Sequence, residues 1–231
     1  MSKNTRNAYK KTLIEEPYVL ISVISNETHW DKRFSMSLVG LLDYTRRIAK
    51  IKCQINVVSV PDLNKMRNLA VLEARRGGFT HIMELDSDQE YPYDIIEKFL
   101  KYNVDFVGPL VFHRKETDTP ICYKKLYRGR KLRNKSNIPE FNNNGLTVVE
   151  SSSVAGALIR MSVFDKIDYP YFKQIDKLSV QNGIEVSKGD GGDVFFSRKL
   201  KKVGVKILVD SSVSSPHFVS AKVEKGVVEV C

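Results

Sequence analysis

Three apolar runs early in the chain, each followed by a stretch of helical periodicity, restrict the fold more than any other feature. Residues 18–24, Tyr-Val-Leu-Ile-Ser-Val-Ile, are continuously apolar and end in Ser25, Asn26 and Glu27. Such a run reads as a strand covered on both faces, the habit of parallel sheets. From 31 to 50, Phe34, Leu38, Leu41, Leu42, Thr45 and Ile48 recur at helical spacing with Lys and Arg opposite them, so a helix is expected. Residues 54–60 alternate and lead into Pro61-Asp62, which predicts a second strand and Asp62 as N-cap of a helix carrying Leu63, Met66, Leu69, Ala70 and Ala74. Arg75-Arg76-Gly77-Gly78 supplies the basic last turn and the glycine stop. The third run, His81-Ile82-Met83-Glu84-Leu85, ends abruptly in Asp86-Ser87-Asp88. This alternation predicts an α/β/α sandwich around a mostly parallel sheet.

In open sheets of that kind, ligands bind just beyond the carboxyl ends of the strands. Two carboxylates separated by one residue can share a hard cation such as Mg2+ or Mn2+, and the cation can hold phosphate oxygens. The same tripeptide also serves as an ordinary turn and helix cap. No Gly-x-Gly-x-x-Gly follows the first strand and no Walker loop occurs, so phosphate is not gripped by a glycine-rich backbone. A carboxylate-held cation is then the obvious candidate.

After a helix at 93–102 and a fourth strand at 104–110 the alternation breaks. Residues 112–146 are polar, basic and rich in Asn, and are expected to form a long loop or lid. Strands at 146–150 and 153–160 return to the core, with Gly156 permitting close approach of a backbone or ligand, and a short helix follows at 162–167. In the block 188–204, Phe196, Leu200 and Val203 form a buried stripe that places Asp193 at a helix start. Its plain role there is an N-cap; its chemical one is to take the proton of an acceptor hydroxyl. A strand at 205–210 and a serine-rich turn lead to Pro216-His217, a lone histidine that is either incidental or a further cation ligand.

The 231 residues suit one domain, with 1–16 as a flexible lead-in, 17–218 as the folded unit and 219–231 as a tail. Lys and Arg number 37 against 27 Asp and Glu, giving a net charge of +10, which suits a phosphorylated substrate, an anionic membrane surface or nucleic acid. Nine of the basic residues fall between Arg114 and Lys135 instead of being spread over a face, and no recognised nucleic-acid motif is present, so nucleic acid is disfavoured. No apolar run is long enough to cross a bilayer and the N-terminus lacks an apolar signal core, so a cytoplasmic location is expected, with peripheral membrane contact left open. Cys53, Cys122 and Cys231 are scattered and odd in number, which argues against a disulfide framework or a CxxC metal site.

Taken in order, Arg67-Asn68-Leu69-Ala70, the stretch from Phe79 through Asp86-Ser87-Asp88, Gly156-Ala157-Leu158-Ile159, and Gly192-Asp193-Val194-Phe195-Phe196 followed by Gly204-Val205-Lys206-Ile207 resemble the GT-A type of nucleotide-sugar-dependent glycosyltransferase. The likeness is greatest to family 2 and its small viral and bacterial relatives, over roughly residues 17–218. It implies a Rossmann-like sandwich with a smaller antiparallel region on the acceptor side, working in the host cytoplasm if viral. It implies that Asp88 binds Mn2+ or Mg2+ directly, that Asp86 holds the donor ribose or meets the metal through water, and that His217 completes the metal site. Asp193 would be the general base of an inverting enzyme, while Ser25, Asn26, Glu27, Arg67, Ser87 and Gly156 would line the nucleotide-sugar pocket. Many relatives have Glu-Asp where this chain has Gly192-Asp193, and Asp190 lies close by, so the base role can fall on either aspartate. The donor would be a UDP- or GDP-sugar and the acceptor a hydroxyl on a glycan, a lipid-linked sugar or a protein. Two rivals stand beside this reading. A sugar-phosphate nucleotidyltransferase would carry a basic glycine-rich loop where Ser25-Asn26-Glu27-Thr28 stand, and a non-catalytic basic module for glycan or nucleic acid would show no metal-dependent nucleotide binding.

Overall fold

The computed structural model describes residues 16–114, 119–127, 135–141, 145–175, 178–181, 184–187, 190–218, 221–224 and 227–230. In chain order the elements are β1 (Tyr18–Ile24), α1 (Lys32–Asp43), β2 (Lys52–Val58), α2 (Leu63–Arg76), β3 (His81–Asp86), α3 (Ile95–Lys101), β4 (Phe106–Leu110) and β5 (Cys122–Tyr123). They continue with β6 (Leu146–Val149), β7 (Ser151–Ser152), β8 (Leu158–Arg160), β9 (Leu178–Gln181), β10 (Ile184–Ser187), α4 (Gly192–Lys202), β11 (Ile207–Ser214), β12 (Ala221–Glu224) and β13 (Val227–Val230).

Seven of these strands build one sheet in the order β2-β1-β3-β8-β4-β11-β6. β1 pairs in parallel with β2 and β3, β4 with β11, and β8 and β6 run against their neighbours. Alternate strand residues feed opposite layers. Val19, Ile21, Val23, Met83 and Leu85 pack on Phe34, Leu38 and Leu41 of α1 and Ile95, Ile96 and Phe99 of α3. Leu20, Ile24 and Ile82 pack on Met66, Ala70 and Ala74 of α2 and Phe196 and Leu200 of α4. The expected α/β/α sandwich is therefore present, with α1 and α3 on one face and α2 and α4 on the other.

Several expected elements change at their ends. The helix read over 31–50 stops at Asp43, and a π-turn, Tyr44–Ile48, follows, in which Ala49 N donates to Tyr44 O at 2.9 Å. The extra residue in that turn rotates Ile48 out of the stripe, leaving it 63% exposed. Strand β2 begins two residues earlier than the alternation at 54–60 indicates, because its pairing runs from Tyr18↔Lys52 to Ile24↔Val58. Of 153–160 only β8 pairs, since Gly156 turns the preceding loop with φ of 73° and donates to Glu84 O at 2.7 Å. The helix at 162–167 is a single 3-10 turn, Met161–Val163, and Val203 of the expected α4 stripe is largely exposed. The serines at 211–214 extend β11 instead of turning. Within the expected loop at 112–146, β5 pairs with β7, and a 3-10 turn spans Lys135–Asn137. The remainder of that segment, 115–118, 128–134 and 142–144, lies outside the described residues, as does the lead-in before Glu16. Two small hairpins, β9 with β10 and β12 with β13, were not anticipated; the second occupies the expected tail. Among the described residues no helix is long and apolar enough to cross a membrane.

Candidate active site

The period of a strand places Glu84 and Asp86, two residues apart at the end of β3, on the face covered by α2 and α4. Arg67 of α2 meets them there. Its Nε lies 3.5 Å from Glu84 Oε2, its Nη2 3.6 Å from Asp86 Oδ2, and its Nη1 pairs with Asp193 Oδ1 at the start of α4. The guanidinium is 4% exposed and Glu84 is fully covered, whereas Asp86 and Asp193 keep about a quarter of their side-chain surface, 24% and 25%. One buried cation thus serves three carboxylates that come from three different elements, which is how buried charge is made tolerable. Burial alone would depress the Arg67 guanidinium, but the fields of Asp193, Asp86 and Glu84 outweigh it and hold it charged. Burial raises the Glu84 carboxyl well above the usual carboxylate range, with Arg67 opposing the rise. Burial likewise raises Asp193, with Arg67 opposing and Asp86 adding to the rise. Asp86 Oδ1 and both Glu84 oxygens have no hydrogen-bond partner.

Tyr91 fixes the backbone beneath this cluster. Its phenol oxygen accepts from Asp86 N at 2.9 Å and donates to Asp86 O at 3.2 Å. Gly156 packs against the same ring; a Cβ there would lie 2.8 Å from Tyr91 Cε1 and 2.9 Å from Pro109 Cγ, so the close approach it permits is to these two neighbours. On the β1 side, Ser87 Oγ is 2.9 Å from Ser25 Oγ and 3.3 Å from Glu27 Oε2, and Trp30 Nε1 donates to Ser25 Oγ at 3.2 Å. Three of the expected nucleotide-pocket residues, Ser25, Glu27 and Ser87, are therefore neighbours, and Asn26 stands exposed between the first two.

The late histidine is brought to the acidic turn by main-chain ties. Glu90 N donates to Pro216 O at 3.0 Å, Phe218 N donates to Asp88 O at 2.7 Å, and Gln89 bridges His217. His217 Nδ1 lies 2.9 Å from Phe112 O and Nε2 3.0 Å from Gln89 Nε2, while Gln89 Oε1 accepts from Ser215 Oγ at 2.8 Å. A carbonyl only accepts, so Nδ1 carries the proton and the Nε2 lone pair accepts from the Gln89 amide. Burial lowers His217, with the Arg114 charge adding to the effect, and keeps the ring neutral. The tautomer is thereby fixed with the lone pair on Nε2, which a metal would take in place of the Gln89 amide. The Asp88 carboxylate pairs with Arg114. Among the described residues no three His, Cys, Asp or Glu side chains are gathered as a ready metal cluster. The donor set nevertheless suits a hard cation: an unpartnered Asp86 oxygen, the Asp88 carboxylate and a neutral imidazole whose tautomer is fixed with the lone pair on Nε2.

Asp193 and Asp190 separate clearly. Asp190 is bound to Arg198, at 2.6 Å and 3.4 Å, and Arg198 also donates to Leu126 O at 3.1 Å and Tyr127 O at 2.7 Å. That pair fastens α4 to the segment after β5. Asp193 lies in the acidic cluster and does not cap α4; Gly191 is the N-cap and makes no side-chain bond. Gly192 packs on α2, where an added Cβ would fall 1.9 Å from Asn64 Oδ1 and oblige that side chain to move. Glu84, Tyr91, Gln89 and Arg114 were not singled out from the sequence. Only Glu84 left a signal, as the lone charge inside an apolar strand in phase with Asp86. A cleft of about 760 Å3 lies elsewhere, between α1 and residues 90–93, lined by Arg33, Met36, Tyr93 and Pro216 among others. None of the acidic cluster lines it, and the converged charges identify the site better than open volume does.

No protein-family model matches the chain, and no curated protein matches it in sequence. Among solved structures, A197 from STIV superposes with a TM-score of 0.57 at 15% identity, over 88% of this chain and 86% of A197. The chain has a GT-A fold. Lower-scoring matches to the GT-A chain include S. aureus TarS 1–349, with a TM-score of 0.46 at 12% identity, over 87% of this chain and 60% of TarS. A Desulfovibrio desulfuricans G20 protein described as a nucleotide-diphospho-sugar transferase follows, with a TM-score of 0.40 at 13% identity, over 88% of this chain and 82% of its own. The TarS fragment has also been solved in complex with UDP-GlcNAc. In this GT-A chain the Asp86-Ser87-Asp88 turn stands where open α/β sheets bind ligands, just past the carboxyl end of β3.

Proposed function

We propose that the protein is a glycosyltransferase that moves a sugar from a UDP- or GDP-sugar to a hydroxyl on a glycan, a lipid-linked sugar or a protein, with Mn2+ or Mg2+ as cofactor. The observation that carries this reading is that Asp86 and Asp193 share Arg67 at the end of β3, while main-chain ties bring the segment of His217 to the Asp86-Ser87-Asp88 turn. Asp88, His217 and Asp86 would hold the cation, which when bound supplies positive charge against the departing diphosphate. Ser25, Asn26, Glu27 and Ser87 form the wall on which the nucleoside rests. Asp193 accepts the proton of the attacking hydroxyl. Its raised affinity for protons favours that role, because a base works best when its pKa lies near the working pH. Arg67 keeps the Asp193 carboxylate aimed at the cluster and tempers the rise that burial causes. The two described cysteines, Cys53 and Cys122, are free and buried, which agrees with work in a reducing cytoplasm.

A donor screen by thermal shift tests the proposal. One sugar nucleotide in a panel that includes UDP-GlcNAc should raise the melting point in the presence of Mn2+ and not in its absence, since a ligand of the native state stabilises by mass action. The same donor should release its nucleoside diphosphate on turnover. A panel with no metal-dependent shift would leave the non-catalytic binding-module reading instead.

A further inference from the structure

Arg114 opens the basic segment, and its side chain has a partner that the segment's composition does not suggest. The guanidinium is paired with Asp88, the carboxylate that would bind the cation. Its position is set by the backbone on either side: His113 N donates to Thr119 O at 3.0 Å, Ile121 N donates to Val111 O at 2.7 Å, and Phe112 bridges Pro120. Phe112 also supplies the carbonyl that anchors His217. One short segment therefore orients the histidine and delivers an arginine to the acid beside it.

The two arginines of the site differ in freedom. Arg67 is 4% exposed and held by three carboxylates, whereas Arg114 is 56% exposed and has one charged partner among the described residues. An exposed guanidinium on a long side chain can leave one oxyanion for another at little cost, and its planar fork fits phosphate as well as carboxylate. A carboxylate oxygen engaged by a guanidinium is, by contrast, a poorer ligand for a divalent cation.

We propose that Arg114 is a resident counter-ion of the donor site. In the metal-free chain it neutralises Asp88. When cation and donor enter, it yields Asp88 to the cation and turns to the donor's diphosphate. The site then never holds the Asp86 and Asp88 carboxylates without a positive charge beside them, and the positive charge displaced is reused on the incoming phosphates. The first half, competition for Asp88, stands on the ion pair; the second half rests on the nucleotide-sugar reading.

The experiment uses the full chain and Arg114→Gln, with Mn2+ affinity read by electron paramagnetic resonance without nucleotide and UDP affinity read by calorimetry at saturating Mn2+. Loss of one charge-assisted bond corresponds to about a tenfold change in affinity. Arg114→Gln should bind Mn2+ about tenfold more tightly and UDP about tenfold more weakly, two effects of opposite sign that a passive surface residue does not produce. Arg114→Lys, which keeps the charge, should hold Mn2+ near the wild-type affinity. In an Asp88→Asn background the manganese effect of Arg114→Gln should vanish. Unchanged or weaker Mn2+ binding in Arg114→Gln, or an equal gain in the Asp88→Asn background, overturns the competition. Unchanged UDP affinity overturns the diphosphate contact. A wild-type chain that binds no UDP or GDP with metal overturns the donor reading and the second half together, while the manganese measurements still decide the first.

Discussion

Arg67 on α2 and Asp193 on α4 form an ion pair across 126 residues of chain, and the same guanidinium faces Glu84 and Asp86 on β3. The pair fastens two helices to the end of the central strand at the point where the chemistry is proposed. Its partners are buried, so its removal is felt by the fold as well as by the site.

Arg67→Met is expected to cost about 3 to 5 kcal/mol of stability at pH 7, because it leaves carboxylates buried without their cation. Urea unfolding followed by circular dichroism measures it. Arg67→Lys keeps the charge without the fork and should fall between the two proteins. A loss below about 1 kcal/mol for Arg67→Met would mean that the cluster is far more hydrated than its burial indicates.

Asp193→Ala should leave metal-dependent donor binding intact and lower transfer by about 10² to 10⁴, the usual worth of a positioned base. Asp190→Ala should act otherwise. It releases Arg198, and with it the tie to Leu126 and Tyr127, so its first effect is a stability loss of about 1 to 3 kcal/mol. Transfer rates at substrate saturation separate the two variants. Normal turnover in Asp193→Ala moves the base role to Asp190.

Gly156→Ala tests the support beneath the acidic turn. The residue has φ of 73°, and the added methyl group meets Tyr91 and Pro109. Left-handed backbone and overpacking together should cost about 2 to 4 kcal/mol. Because Tyr91 holds the Asp86 backbone, metal-dependent nucleotide binding should weaken in parallel, even below the melting temperature of the variant.

His81 gives the fold a pH dependence of its own. Burial, and secondarily the Arg160 charge, pushes its pKa down to about 4, so the folded chain keeps it neutral while the unfolded chain protonates near 6.5. A group with a depressed folded pKa contributes its stability fully above the unfolded value and loses it as pH falls toward the folded one. Stability should therefore decline between about pH 6.5 and pH 4, by up to about 3 kcal/mol from this group. Urea midpoints of wild type and His81→Gln across that range should converge at low pH. A constant difference between them would remove His81 as the cause.

The parts of the fold that rest on local pattern were legible. The runs at β1 and β3 and the Asp62 cap of α2, where its carboxylate accepts from Lys65 N at 2.6 Å, occur as the sequence indicates. Parallel pairing with β1 sets the ends of β2, and the π-turn after Asp43 resets the helical phase; neither has a signature in side-chain periodicity. At the site, the meeting of His217 with the acidic turn followed from recognised motif order. The role of Arg67 as common partner of three acids did not, because each contact joins residues far apart in the chain and depends on how α2 and α4 close over β3. Arg114 was legible only as one of many basic residues, and its pairing with Asp88 is a property of the fold.

Calorimetric titration of the wild-type chain and of Asp88→Ala with UDP and GDP, each with and without Mn2+, tests the central claim most directly. Wild type should bind one of the two nucleotides with Mn2+ and lose most of that affinity without it, and Asp88→Ala should bind weakly in both conditions. Equal binding with and without metal, or unimpaired metal-dependent binding by Asp88→Ala, would contradict the assignment of Asp86-Ser87-Asp88 as the cation and donor site.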